Sequence, residues 1–162
     1  LGFFPSRTGA PLRCNLKQID LTKVTETLAE VGRIGPTAEI LQSLQQQIPQ
    51  ATLCFDVLTD TGQVAPGFGL ECRSQDWPSF FQWLETQQLC RSEESQACLA
   101  WPGYSTPPQT ELPWPYAWIR RSLDSQPKLP VLQRSINHVK LNILGNNVQA
   151  KAYLMWNLNW MN

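Results

Sequence analysis

The chain has 162 residues, with 13 basic and 13 acidic side chains, one histidine, 42% hydrophobic and 16% charged residues. That length sets one domain over residues 1–162 as the expectation, since domains commonly run to about 100–150 residues and that size buries a full core. A formal net charge of zero excludes the surplus of Lys and Arg that nucleic-acid binding needs, and no window approaches the ~18 apolar residues of a membrane span. Charged residues fall below the roughly 25% of an average soluble protein, so much of the polar surface must come from Gln, Asn, Ser and Thr. The start, Leu1-Gly2-Phe3-Phe4-Pro5, lacks the basic residues and long apolar run of a signal peptide. Beginning on Leu1 inside an apolar stretch, the chain reads either as self-contained or as a fragment, one half of a longer protein. Cys14, Cys54, Cys72, Cys90 and Cys98 form no Cys-x-x-Cys pair and have no His spaced to complete a zinc site. Reduced thiols in a cytoplasmic setting are expected, with no metal and no other cofactor.

Residues 11–19 alternate, Leu12, Cys14 and Leu16 against Arg13, Asn15 and Lys17, which is the period of a half-buried strand. Leu21, Val24, Leu28 and Val31 then recur at helical spacing until Gly32 and Gly35-Pro36 stop the run. Thr37 is placed to cap a second helix carrying Ile40, Leu41, Leu44 and Ile48, which Pro49 ends. Alternation returns in residues 52–58 and 68–72 around an Asp60-Thr61-Gly62 turn, a hairpin with Leu53, Phe55, Val57, Phe68, Leu70 and Cys72 on one side. Asp76 is an N-cap, with Pro78 in the first turn of a helix whose stripe is Trp77, Phe80, Phe81, Leu84 and Leu89. A shorter helix starts at Ser92, with Glu93 and Glu94 at the positive end of its dipole, and Pro102-Gly103 closes it. Residues 102–115 hold five of the 13 prolines, which predicts a loop or strap; one more helix over residues 115–123 and a second broken stretch over 127–130 follow.

In the last third, Val139, Leu141 and Ile143 alternate with His138, Lys140 and Asn142, and Val148, Ala150, Ala152, Leu154, Trp156, Leu158 and Trp160 occupy seven consecutive alternate positions. With Asn146-Asn147 as a two-residue turn, Ile143 faces Ala150, Leu141 faces Ala152 and Val139 faces Leu154, so the apolar faces coincide and a one-residue slip would invert them. Trp156 and Trp160 then run past the end of the partner strand, an apolar edge that invites pairing with another chain. The whole order, β, αα, ββ, αα(α), ββ, predicts an α+β fold: an antiparallel sheet built from αα-ββ units, with the helices packed on one face and the sheet able to curl into a partial or complete barrel.

The sheet's other face collects Arg13, Asn15, Lys17, Cys54, Asp56, Glu71, Arg73, His138, Lys140, Lys151 and Tyr153. Either this face simply meets solvent, as one side of an antiparallel sheet often does, or the sheet is concave and its Lys, Arg and Tyr side chains hold an anion by charge-assisted hydrogen bonds.

The hairpin His138-Val139-Lys140-Leu141 with Gln149-Ala150-Lys151-Ala152-Tyr153-Leu154 resembles the Lys-x-Tyr strand hairpins of the aromatic prenyltransferases of the ABBA type, and the αα-ββ order is similar to their plan. The resemblance implies a barrel with a polar lumen and helices outside. It implies a prenyl diphosphate held by inward-pointing Lys, Arg and Tyr, and transfer of the prenyl carbocation to an electron-rich aromatic ring. On it, Lys151 and Tyr153 match the motif and Lys140 is their cross-strand neighbour. Arg13 and Arg73 join them as substrate contacts, and Glu71 takes the proton of the aromatic acceptor. The sequence likeness is confined to the last hairpin, and the family's barrels carry more strands than this chain supplies, a shortfall that a longer chain or a second copy would fill.

Other chemistries find less support. There is no Gly-x-x-x-x-Gly-Lys-Ser/Thr loop, and Gly67-Phe68-Gly69 inside a strand signals a bulge or close packing rather than a dinucleotide site. A nucleophilic triad would have to use His138, which in mid-strand reads as a surface residue; Cys54 on the polar face is the one thiol placed to react. Trp77 and Trp83 read as core, whereas Trp101, Trp114 and Trp118 flank the proline-rich strap and are candidates for a partner surface. That leaves a second function class, a non-catalytic interaction module binding another protein or a second copy of the chain.

Overall fold

The computed structural model describes residues 11–30, 38–106, 129–145 and 147–161. Along it run β1 (Leu12–Asp20), α1 (Leu21–Glu30), α2 (Ala38–Gln45), β2 (Gln50–Val57), β3 (Val64–Cys72), α3 (Trp77–Thr86), α4 (Ser92–Ala100), β4 (Gly103–Ser105), β5 (Leu129–Leu144) and β6 (Asn147–Met161). The cap expected at Thr37, the helix expected over residues 115–123, and Trp114 and Trp118 lie outside the described residues.

The fold is α+β. One antiparallel sheet runs β1-β2-β3-β5-β6, and the short β4 pairs the stretch of β5 beyond the end of β3. Among the described residues β1, β4 and β6 each have one unpaired side, so the sheet is open rather than closed into a barrel. Helices α1 to α3 cover one face. Leu21, Val24, Leu41, Leu44, Phe80, Phe81 and Leu84 meet Leu53, Phe55, Leu70, Val139, Leu141 and Ile143 in one buried cluster, and it is this burial that drives the layer together. The indole of Trp83 donates to the Ser43 hydroxyl at 3.3 Å, which ties α3 to α2.

Local signals place the elements. Asp76 caps α3 by accepting from the Ser79 backbone N–H at 3.1 Å. At α4 the Glu94 carboxylate reaches back to the Arg91 backbone N–H at 3.0 Å and to its guanidinium at 2.7 Å, using the acidic first turn as the dipole favours. In the β2–β3 hairpin Gly62 takes φ +68°, the left-handed conformation its turn needs.

Four expectations need correction. The β5–β6 turn comes earlier than residues 146 and 147, because Gly145 holds φ +58° and Leu144 already pairs with Asn147. The register is therefore Ile143 on Val148, Leu141 on Ala150 and Val139 on Ala152. A slip of two residues keeps every side chain on its expected face. Second, β5 starts at Leu129, within the stretch expected to be broken, and so pairs β6 along its whole length; Trp156 faces Arg134 and no part of β6 overhangs its partner. Third, the strap gives up Gly103–Ser105 to β4, which pairs Arg134, Gln133 and Leu132. Fourth, Ile48 is buried just beyond the end of α2 rather than within it.

The early start of β5 was hidden by a bulge. Ile136 pairs Leu154 and His138 pairs Tyr153, leaving Asn137 as an extra residue. It shifts the alternation by one, so Ile136 faces the helices before it and Val139, Leu141 and Ile143 after it. A second bulge in β1, between Leu16 and Ile19, holds Gln18 at φ 55° and returns Ile19 to the core side.

Candidate functional site on the polar face of the sheet

Strand register sets the polar face out in rows across the sheet. One row is Asn15, Cys54, Gly69, Asn142 and Gln149, each opposite the next. The neighbouring row is Thr52, Glu71, Lys140 and Lys151. Arg13 and Asp56 face each other on one side of these rows, and His138 and Tyr153 on the other.

Two lysines directly opposite on one face repel each other, and Lys140 and Lys151 are so placed. The conflict is resolved by Gly69. A Cβ at Gly69 would lie 2.5 Å from Lys140 Cε and 3.3 Å from its Nζ, so the lysine lies flat across the space the missing side chain leaves. That carries its ammonium away from β6 to Glu71, with Nζ 3.7 Å from Oε1, and leaves the side chain 12% exposed. The close-packing signal read from Gly67-Phe68-Gly69 is borne out here.

Around this lysine the groups are already hydrogen-bonded. Arg13 Nε and Nη2 donate to the two oxygens of Asp56 at 2.7 and 2.8 Å, a bidentate pair that holds the Asp56 carboxyl below its ordinary 3.8. Cys54, buried between these ion pairs, donates its thiol to Glu71 Oε1 at 3.5 Å. Burial pushes that thiol up to about 11, against the pull of the Lys140 ammonium, so it is the neutral S–H and not a nucleophile at neutral pH. The other four cysteines are free thiols as well, and Cys72 is fully buried in the core.

His138 stacks on Tyr153 with ring centroids 4.4 Å apart and planes 15° from parallel. Burial lowers the imidazole below its ordinary 6.5; Glu71 opposes this, and the positive charges of Arg73 and Lys140 reinforce it. The expected surface histidine is thus partly covered and neutral near pH 7.

Among the described residues, hollows open on this face. One, of about 420 Å³, is lined by Arg13, Cys54, Gly67, Gly69, Lys140 and Asn142 among others. The second, of about 730 Å³, lies toward the start of α3 and includes Lys17, Thr52, Glu71 and Arg73. The residues singled out in the sequence are therefore not gathered at one point. Arg13 and Lys140 share the first hollow, Glu71 and Arg73 the second, and Lys151 and Tyr153 stand exposed on β6 beside them. Trp101 stands apart from all of these, half-buried at the end of α4. The Arg134 guanidinium lies 5.4 Å from the Trp101 ring centroid, and the indole donates to the Met155 carbonyl at 3.3 Å.

Asp56 and Asn142 belong to the site although neither was singled out. The alternation that put Arg13 and Lys140 on this face also put them there, but only the register shows which charges meet. Among the described residues no group of three or more His, Cys, Asp or Glu is placed to hold a metal, and no helix is long and apolar enough to cross a membrane. No family model, curated protein or solved structure matches this chain.

Proposed function

We propose that the protein binds a small anionic molecule, of the diphosphate-bearing class, on the polar face of its sheet. The observation that carries this reading is Lys140 lying across Gly69 beside Arg13, at the wall of a hollow floored by glycine. Asp56 takes two of the five N–H donors of Arg13, and Glu71 faces one side of an ammonium with three, so both cations keep donors to offer a ligand. Lys151 and Tyr153 extend the donor set along β6, and Arg73 does so from the neighbouring hollow. On the ABBA-type resemblance the ligand is a prenyl diphosphate. The bond from the prenyl carbon to the diphosphate oxygen breaks, a bond to the aromatic ring forms, and Glu71 takes the ring proton. Calorimetry with inorganic pyrophosphate and with a prenyl diphosphate tests the binding step. Lys140→Met is expected to weaken binding by about tenfold to a hundredfold, the worth of one charge-assisted hydrogen bond; no heat from either compound overturns the reading.

A separate observation favours a second reading, an interaction module. The outer edge of β6 is unpaired among the described residues and carries exposed Leu154 and Trp156.

A further inference from the structure

We propose that two copies of the chain join through β6, edge to edge and antiparallel, about a two-fold axis at Leu154, so that their two sheets become one. This names the partner for the interaction-module reading and rests on it. Exposed strand edges are normally blunted by proline, by charge, by bulges or by shortness. β6 has fifteen residues, no proline and a single charged side chain, Lys151, and the bulge of its hairpin falls on β5 instead.

The side chains of β6 are complementary to themselves. With Leu154 opposite Leu154 of the second copy, antiparallel pairing sets Ala152 against Trp156 and Ala150 against Leu158 on the helix side. On the polar side it sets Tyr153 against Met155 and Lys151 against Asn157. On the helix side Trp156 and Leu158 meet alanines, and on the polar side the lysine meets an amide, so no like charges oppose each other. A two-fold axis perpendicular to the sheet keeps the helices of both copies on one side, and Leu154 and Trp156, 44% and 42% exposed in the single chain, become covered. Fifteen residues at ~3.4 Å each, across a layer ~10 Å thick, give about 500 Å² per copy and about 1,000 Å² in all, the size at which a specific interface begins. The join also carries the candidate ligand face across the seam, because Lys151 and Tyr153 lie along it.

Sedimentation velocity of the full chain over about 1–100 µM is expected to show a reversible dimer, the weak class that such an area supports. Leu154→Cys should then cross-link to itself on mild oxidation, since directly opposed Cα atoms lie about 4.5–5.5 Å apart, within disulfide reach. Asn157→Cys should not exceed the wild-type background, because the two copies of that residue lie about 20 Å apart along the seam. Leu154→Lys opposes two ammonium groups at the axis and should weaken the dimer about tenfold or more, with the circular dichroism spectrum unchanged. Equal cross-linking at both cysteine positions overturns the register. A monomer at every concentration, with no Leu154→Cys cross-link, overturns the dimer. A synthetic peptide of residues 148–160 separates that failure from failure of the open-edge reading: if it binds the monomer, the edge stands and the partner is another protein, and if it does not, both fall.

Discussion

Replacing Gly69 by alanine puts a methyl group 2.5 Å from Lys140 Cε, about 1 Å inside ordinary contact, and the atom it strikes is near the free end of a flexible side chain. The lysine has only to swing outward. That forfeits the long Lys140–Glu71 pair, worth about 0–1 kcal/mol at this exposure, while the alanine recovers about 0.5–1 kcal/mol of the chain entropy that glycine loses in a strand. The expected net change is within about 1 kcal/mol of zero. Gly67→Ala, two residues away in the same strand, should behave differently. Its methyl would lie 3.2 Å from the Ile143 backbone oxygen, which is held in the β3–β5 ladder and has little freedom to move. A cost of about 1–3 kcal/mol is expected, as for other overpacked sites. Urea denaturation measures both: at about 1–3 kcal/mol per molar, each kcal/mol moves the midpoint by about 0.3–1 M. A loss of several kcal/mol at Gly69, or none at Gly67, would refute the packing described for this face. Diphosphate binding should fall with Gly69→Ala although the fold is kept.

Two further predictions concern pH and the core. His138 is the only histidine, and its folded value lies below 6.5, so below about pH 6.5 the unfolded chain holds more protons and stability falls with pH until the folded imidazole also titrates. Urea midpoints taken from about pH 7 to about pH 5 should decline for the wild type and flatten with His138→Gln; a flat wild-type curve, or one that rises, would contradict the covered stack on Tyr153. Leu141→Ala removes a fully buried side chain at the centre of the sheet and should cost about 2–5 kcal/mol. Leu144→Ala, three residues on and 57% exposed, should stay within about 0.5 kcal/mol by the same measurement, and similar losses at both would misplace the core.

What could be read in advance followed the physics of periodicity. Wherever alternation ran unbroken, as in Phe68, Leu70, Cys72 and in Val139, Leu141, Ile143, the predicted face was the observed one, because one buried side leaves no freedom of register. Asp76 and Pro78 announced α3 for the same reason, each being a residue type that a helix start needs. A bulge defeats this reading. Leu132, Arg134 and Ile136 alternate in one phase and Val139 onward in the other, so the first half of β5 looked irregular although each half is an ordinary strand. In the β5–β6 turn, Gly145, Asn146 and Asn147 all accept positive φ, and composition could not choose between two placements that leave the faces identical. The pairings within the candidate site were also out of reach. Arg13 with Asp56 and Lys140 with Glu71 join residues 43 and 69 positions apart, and only the strand order brings them together.

The energetics of Lys140 bear on whether the polar face merely meets water. A lysine on a solvated sheet face keeps its side-chain freedom and stands clear of its neighbours. Here it is confined to 12% exposure at the expense of up to ~2 kcal/mol of rotamer entropy. The glycine that makes room for it costs a further ~0.5–1 kcal/mol relative to alanine. The return is a long ion pair worth about 0–1 kcal/mol. Stability alone therefore does not account for a glycine at 69, a flattened lysine at 140, a buried thiol at 54 and a carboxylate at 71 that receives both. Local arrangements that lower stability persist where they serve a site. A cation held close to the sheet, above a floor without a side chain, is an arrangement with a use once an anion sits in the hollow. It is on this ground that the polar face is proposed as a binding surface rather than as the wet side of the sheet.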